Sequence, residues 1–182
     1  MIFRFLWIFI LALPVWGSDY KYHFGFNDEC VYDGLSLKET NTTSSLFVLS
    51  NCDGYPEEEE PIFAISNVIA YGKIFYTDDF SAASGFFYGA TLGLGEATIE
   101  AYGGSSASLR FSEAMLLAGY EIELYKGLIL DFGVDYTYRY LLEKELKISS
   151  SDKAEDQSKV RDFAKDRQED RLSFFVMLGI KF

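Results

Sequence analysis

The residues able to do chemistry are few. His23 is the single histidine of the 182-residue chain. It sits in "YKYHFGF" among alternating aromatics, where a histidine reads as an interior or interface side chain rather than a catalyst. Asp131 and Asp135 are four apart in "LILDFGVDYTYRYLL", so on a strand they share one face. That placement suits structural charges better than an aspartate-pair hydrolase. No GxSxG or HExxH spacing occurs, and a Ser-His-Asp set stays open only because triads assemble in space. "EEEE" at Glu57 to Glu60, with Asp53, attracts a hard cation but lacks the spaced ligands and glycine of a calcium loop. It reads as a solvated acidic loop. No catalytic, cofactor or metal site is assigned, and the chain is read as a protein that is not an enzyme. "NTT" at Asn41 matches a glycosylation acceptor, a pattern of little meaning in a bacterial exported chain.

The cysteines carry the remaining chemistry. Residues 1–17 have one early positive charge, Arg4, then a nine-residue apolar run from Phe5 to Leu13, then "PVWG". This is the form of a secretory signal cut after Gly17, and the run is too short to span a bilayer. An exported chain meets an oxidising compartment, so Cys30 and Cys52 are expected to form a disulfide. A loop of that length stabilises by about 3 kcal/mol on the chain-entropy model. Asn41, inside the turn-forming "ETNTTSS", is midway between them. That symmetry predicts a hairpin with the cysteines opposed at its open end. The formal net charge of −12 argues against nucleic acid, since nothing offsets a row of phosphates.

Strands must position these residues. From Leu128 to Leu142 every second residue is aliphatic or aromatic. The intervening Asp131, Asp135 and Arg139 face the other way, as do Glu121 and Glu123 on the segment before. Leu116 to Leu124 and Phe86 to Leu94 alternate in the same manner. Parity shifts after Gly95, where a β-bulge is expected. Eight strands are read at about 19–27, 31–38, 44–51, 61–76, 84–102, 108–124, 128–148 and 171–182. The segment 61–76 also admits a helical reading, with Pro61 at its first position. If 31–38 and 44–51 form an external hairpin, six spanning strands remain. Outer loops are placed near 53–60, 103–107 and 149–170. The last holds a helical turn or two around Val160, Phe163 and Ala164, unless the strand continues upward through Leu142, Lys144, Leu146 and Ile148.

Alternation alone does not separate a soluble sandwich from a membrane wall. Length and order favour the wall. Several strands keep parity beyond ten residues, and Tyr136, Tyr138 and Tyr140 follow an aliphatic band as a girdle follows a lipid-facing surface. The opposite face, with Glu121, Glu123, Asp131, Asp135 and Arg139, becomes a polar lumen. The expected fold is all-β, an eight-stranded antiparallel transmembrane up-and-down β-barrel over residues 18–182.

"RLSFFVMLGIKF" ends the chain with Leu172, Phe174, Val176, Leu178, Ile180 and Phe182 on one parity. This resembles the closing strand of bacterial outer-membrane barrels, in which the terminal aromatic is read by the barrel-insertion machinery. By pattern, the whole mature chain resembles the small OmpA, OmpX and OmpW type. The resemblance implies placement in the outer membrane, with membrane lipid and that machinery as partners and no cofactor. It carries no functional residue across. Eight strands leave an interior only wide enough for side chains. Two function classes follow: a structural or surface-interaction role through the outer loops, or a narrow conduit for ions or small apolar molecules. A lipid-modifying enzyme is the third and least supported.

Overall fold

A computed structural model describes residues 19–26, 31–54, 62–101, 103–166 and 170–182, with the backbone alone at 52–54, 62–65 and 166. The described strands, in chain order, are β1 (Tyr20–Phe26), β2 (Val31–Thr40), β3 (Thr43–Gly54), β4 (Ile62–Tyr76), β5 (Ser84–Ala101), β6 (Ser106–Tyr125), β7 (Leu128–Lys147) and β8 (Arg171–Lys181). Each pairs antiparallel with its sequence neighbours, and β8 returns to β1 to close an eight-stranded barrel. Segment 62–76 is a strand along its whole length, held between β3 and β5. β2 and β3 belong to the wall, so the six-strand alternative falls. The segment between β7 and β8 contains a helix, α1 (Ala154–Asp166).

The wall meets two solvents. Leu94, Ser112 and Tyr140 lie side by side on β5, β6 and β7. Toward the chain termini from that level, the outward residues are mostly apolar and exposed, among them Phe86, Leu92, Leu116, Phe132, Val134, Phe174 and Ile180, with the Lys73–Glu39 ion pair as a polar exception on β4 and β2. So large an apolar surface suits hydrocarbon and is far larger than soluble monomers carry. Beyond that level the faces exchange chemistry. Glu96, Thr98 and Glu100 point outward, as do Ser108 and Arg110, while Ala97, Ile99, Ala101, Ala107, Leu109 and Phe111 are buried inside. The wall has left the lipid, so its outer face is polar and its inner face forms an ordinary apolar core.

That exchange corrects the expected bulge after Gly95. The β4–β5 and β5–β6 registers run unbroken through it, and no residue is inserted. A change of solvent reverses the hydrophobic pattern without reversing the backbone. The irregularity lies instead on β7. Arg110 opposes Glu143 while Phe111 opposes Leu141, leaving Leu142 as the extra residue. Leu146 therefore opposes the inward Ala107 and does not continue the outward parity of Tyr140.

Local chemistry fixes the turns at the opposite end. Lys126 and Gly127 connect β6 to β7 with positive φ at both residues (33° and 88°), the backbone of a two-residue hairpin. A Cβ at Gly127 would lie 2.7 Å from the Lys181 carbonyl oxygen. The longer turn from β4 to β5 sends Phe80 into the barrel mouth, where it is 1% exposed.

At the other end, α1 packs inside the β5–β6 part of the wall. Val160 and Ala164, one turn apart on its buried stripe, are fully buried against the inner faces of β5 and β6, with Phe163 beside them. Glu155 and Asp156 in its first turn and Lys165 in its last complement the helix dipole.

Candidate functional site

The lumen gathers most of the charges singled out in the sequence, and it is layered. At the end near the termini, Glu123 accepts from Lys181 Nζ at 3.1 Å and from the Gly127 amide at 2.9 Å. One layer in, Lys21 Nζ donates to both Glu121 oxygens at 2.7 and 2.8 Å. Lys21 is wholly buried. Its ammonium lies 4.1 Å from the Phe80 ring centroid and 4.5 Å from that of Tyr76. A buried ammonium needs this much partnership, because desolvation alone disfavours the charge.

The next layer holds His23. Its Nδ1 lies 2.7 Å from Asp131 Oδ2, and its Nε2 lies 3.3 Å from Ser36 Oγ. With the proton on Nδ1, the ring donates to the carboxylate and accepts from the hydroxyl. Asp131 Oδ1 has no partner among the described residues. Farther along β7, Asp135 accepts from Thr137 Oγ1 at 3.3 Å. Arg139 Nε donates to Glu113 at 2.8 Å, so its ion-pair partner is Glu113 on β6 rather than Asp135.

The lumen is less polar than expected. Leu46, Ile74, Phe87, Met115, Leu117 and Phe175 also point inward and form a buried cluster between the charged layers. A Cβ on the inward Gly119 would lie 2.6 Å from the Phe87 ring, and one on the opposing Gly133 2.7 Å from the Phe175 ring. These glycines make room for aromatic rings inside the wall.

The lipid-facing side is continuous with this arrangement. Phe182 donates its amide to the Tyr20 carbonyl at 3.0 Å and stacks on the Tyr20 ring at 4.8 Å, completing the seam between β8 and β1. Outside the membrane band, the Asp152 carboxylate accepts from the Ser105 amide at 2.6 Å. Ser105 Oγ in turn accepts from the Ser149 amide at 3.0 Å. These bonds tie the β5–β6 loop to the segment that leads into α1. The hydrogen bonds from Ser105 hold the Asp152 carboxyl below the usual carboxylate range.

Several of these residues carried no mark in the sequence. Lys21 shares parity with His23, opposite Tyr20, Tyr22 and Phe24, and that parity was the available signal. Glu113 and the Ser105–Asp152 latch depend on register and loop path, which alternation does not encode. Val31 opposes Asn51, one residue inside each cysteine. Cys30, the side chain of Cys52 and the acidic residues Glu57 to Glu60 lie outside the described residues, as does the 1–17 segment.

No protein-family model matches the chain, and no curated protein does. Solved structures do. The fold is that of the small outer-membrane β-barrels. Neisserial surface protein A superposes with a TM-score of 0.56 at 14% identity, covering 91% of this chain and 94% of that one. The N-terminal β-barrel domain of Pseudomonas aeruginosa OprF gives 0.59 at 10% identity, covering 91% and 96%. A major outer membrane protein from Thermus thermophilus gives 0.58 at 8% identity, covering 91% and 100%. Identities this low carry the fold and no residue-level function.

Proposed function

We propose that the mature chain is an outer-membrane wall protein whose structural or surface-interaction role resides in the part standing above the membrane. The observation that carries this reading is the largely occupied interior: Phe80 and Lys21 sit in one mouth, α1 packs inside the other end against β5 and β6, and paired charges lie between, leaving a cavity of about 50 Å³. A lumen so occupied favours a wall over a conduit. The raised β5–β6–β7 segment supplies the surface, with Glu96, Glu100, Arg110 and Glu143 on its outward face. Planar-bilayer recording of the refolded chain is expected to give no discrete conductance steps. Steady single-channel currents would overturn the reading in favour of a conduit.

A hydrolytic reading has one observation in its favour. Ser36, His23 and Asp131 align in the order of a nucleophile, base and orienting carboxylate. Ser36 is wholly buried, however, and among the described residues the backbone N–H groups of the flanking strands serve the sheet and are not free to act as oxyanion donors. The trio is read as a lumen network. A fluorophosphonate probe is expected to leave Ser36 unlabelled, and stoichiometric labelling there would restore the enzymatic reading.

A further inference from the structure

We infer that the mid-lumen is a binding site for a small apolar molecule with one N–H or O–H donor head. The head would sit on Asp131 Oδ1 and the tail among Leu46, Ile74, Phe87, Met115, Phe175 and Met177. Three observations converge on it. A cavity of about 50 Å³ lies at this level, lined by those side chains together with His23, Ser36 and Gly34. A benzene-sized ligand needs about 150 Å³, so this cavity has room for a head group with one or two carbons.

The polar end of the cavity is specific. Among the described residues that line it, one buried side-chain acceptor has no partner. Both Glu121 oxygens hold Lys21, and Asp131 Oδ2 holds His23. Asp131 Oδ1 is left without a partner on a residue that is 1% exposed. A buried carboxylate oxygen calls for a donor. A donor head alone is not enough to fill this cavity, because most of the lining offers no second hydrogen bond. A bound water requires two to four polar partners, whereas a tail requires only apolar contact. An ammonium and a hydroxyl both make charge-assisted bonds to a carboxylate, and the ammonium adds the attraction of its own charge.

The wall itself leaves the space. Gly34 on β2 lines the cavity, and a Cβ built there meets only ordinary contacts, His23 Cβ at 3.6 Å and Leu46 Cδ1 at 3.7 Å. A larger side chain at this position would grow into the site rather than into the backbone.

The test uses the methyl groups of Met115 and Met177, both in the lining, as ¹³C-labelled reporters in the full barrel reconstituted in lipid nanodiscs. Ethylamine is titrated, with ethanol and ethane in parallel. Saturable shifts at both methyls, with cross-relaxation from the ethylamine chain, are the expected result. Ethylamine should bind more tightly than ethanol, and ethane should give no saturable response. G34L should abolish the response while keeping heat-modifiable migration on gels. D131N should weaken ethylamine binding at least tenfold and ethanol binding less. Silence at both methyls would overturn the site. So would an equal response in folded G34L, which would place the probe on the lipid face, or an equal response to ethane, which would remove Asp131 from recognition.

Discussion

At the scale of single residues, the lumen is governed by the cost of unpaired charge. Lys21 and Glu121 are both buried and satisfy each other. Removing one partner leaves the other uncompensated, and breaking a buried pair in this way costs about 3–5 kcal/mol. Lys21→Met is therefore expected to lower the urea midpoint of the refolded barrel strongly. Lys21→Met with Glu121→Leu should recover most of the loss, since apolar replacement of both partners removes the orphan charge. A double variant no more stable than the single one would contradict the pairing. Outside the membrane, Asp152 is held ionised by Ser105 below the usual carboxylate range. Its folded pKa is depressed, so its contribution is present above the unfolded value of about 3.9 and lost as pH falls through the folded one. The protection factor of the Ser105 amide, its exchange rate relative to that of an unstructured amide at the same pH, should fall on acidification below pH 4, and Asp152→Asn should remove most of that acid dependence. A protection factor that stays flat in the wild type down to pH 2 would count against the latch. Charges such as Glu121, Asp131 and Arg139 were legible by parity alone. Their partners were not: Arg139 meets Glu113 because β6 and β7 pair in one register, and a single sequence does not contain that register.

At the scale of elements, strand positions were legible because alternation survives over long runs. β7 is the clearest case, with Leu128 to Tyr140 outward and Ile129 to Arg139 inward. The meaning of a break in alternation was not legible. After Gly95 the apolar set moves to the other parity, which a bulge and a change of solvent produce equally well in one dimension. Pairing decides it, since β5 keeps register with both neighbours. The helix α1 was visible only as Val160, Phe163 and Ala164 within a polar run, too sparse to give its 13-residue length. Its docking rests on that short stripe. Val160→Asp is expected to release α1 from the β5–β6 face while leaving the membrane-spanning wall folded. Protease cleavage within 149–170 should then become rapid, with heat-modifiability retained. If the variant resisted cleavage as well as the wild type, the docking account would fail. On the lipid side, Val134→Arg places a charge in hydrocarbon and should cost about 2–4 kcal/mol near the midplane, read by denaturant unfolding from lipid vesicles. A cost near zero would mean that Val134 does not face the acyl chains.

At the scale of the whole molecule, the barrel is a single sheet wrapped between two environments. Its lower part has lipid outside and charges and rings inside; its upper part has water outside and an apolar core under a helix inside. Closure of β8 on β1 removes every strand edge, which is what allows a sheet to sit in hydrocarbon. The Cys30–Cys52 disulfide would add a covalent tie at the open end of the β2–β3 hairpin. Non-reducing peptide mapping of the exported chain is expected to find the linked pair, and two free thiols would reject it. The central claim is the exchange of faces along one uninterrupted strand. The most direct measurement is a nitroxide scan of β5 in bilayers, reading collision with lipid-soluble oxygen and with a water-soluble nickel chelate. Labels at 88, 90, 92 and 94 should favour oxygen, labels at 96, 98 and 100 should favour nickel, and labels at 91, 97 and 99 should be shielded from both. Oxygen access that moved to odd positions beyond residue 95 would contradict the account, because it would mean that the backbone, and not the surrounding solvent, changes there.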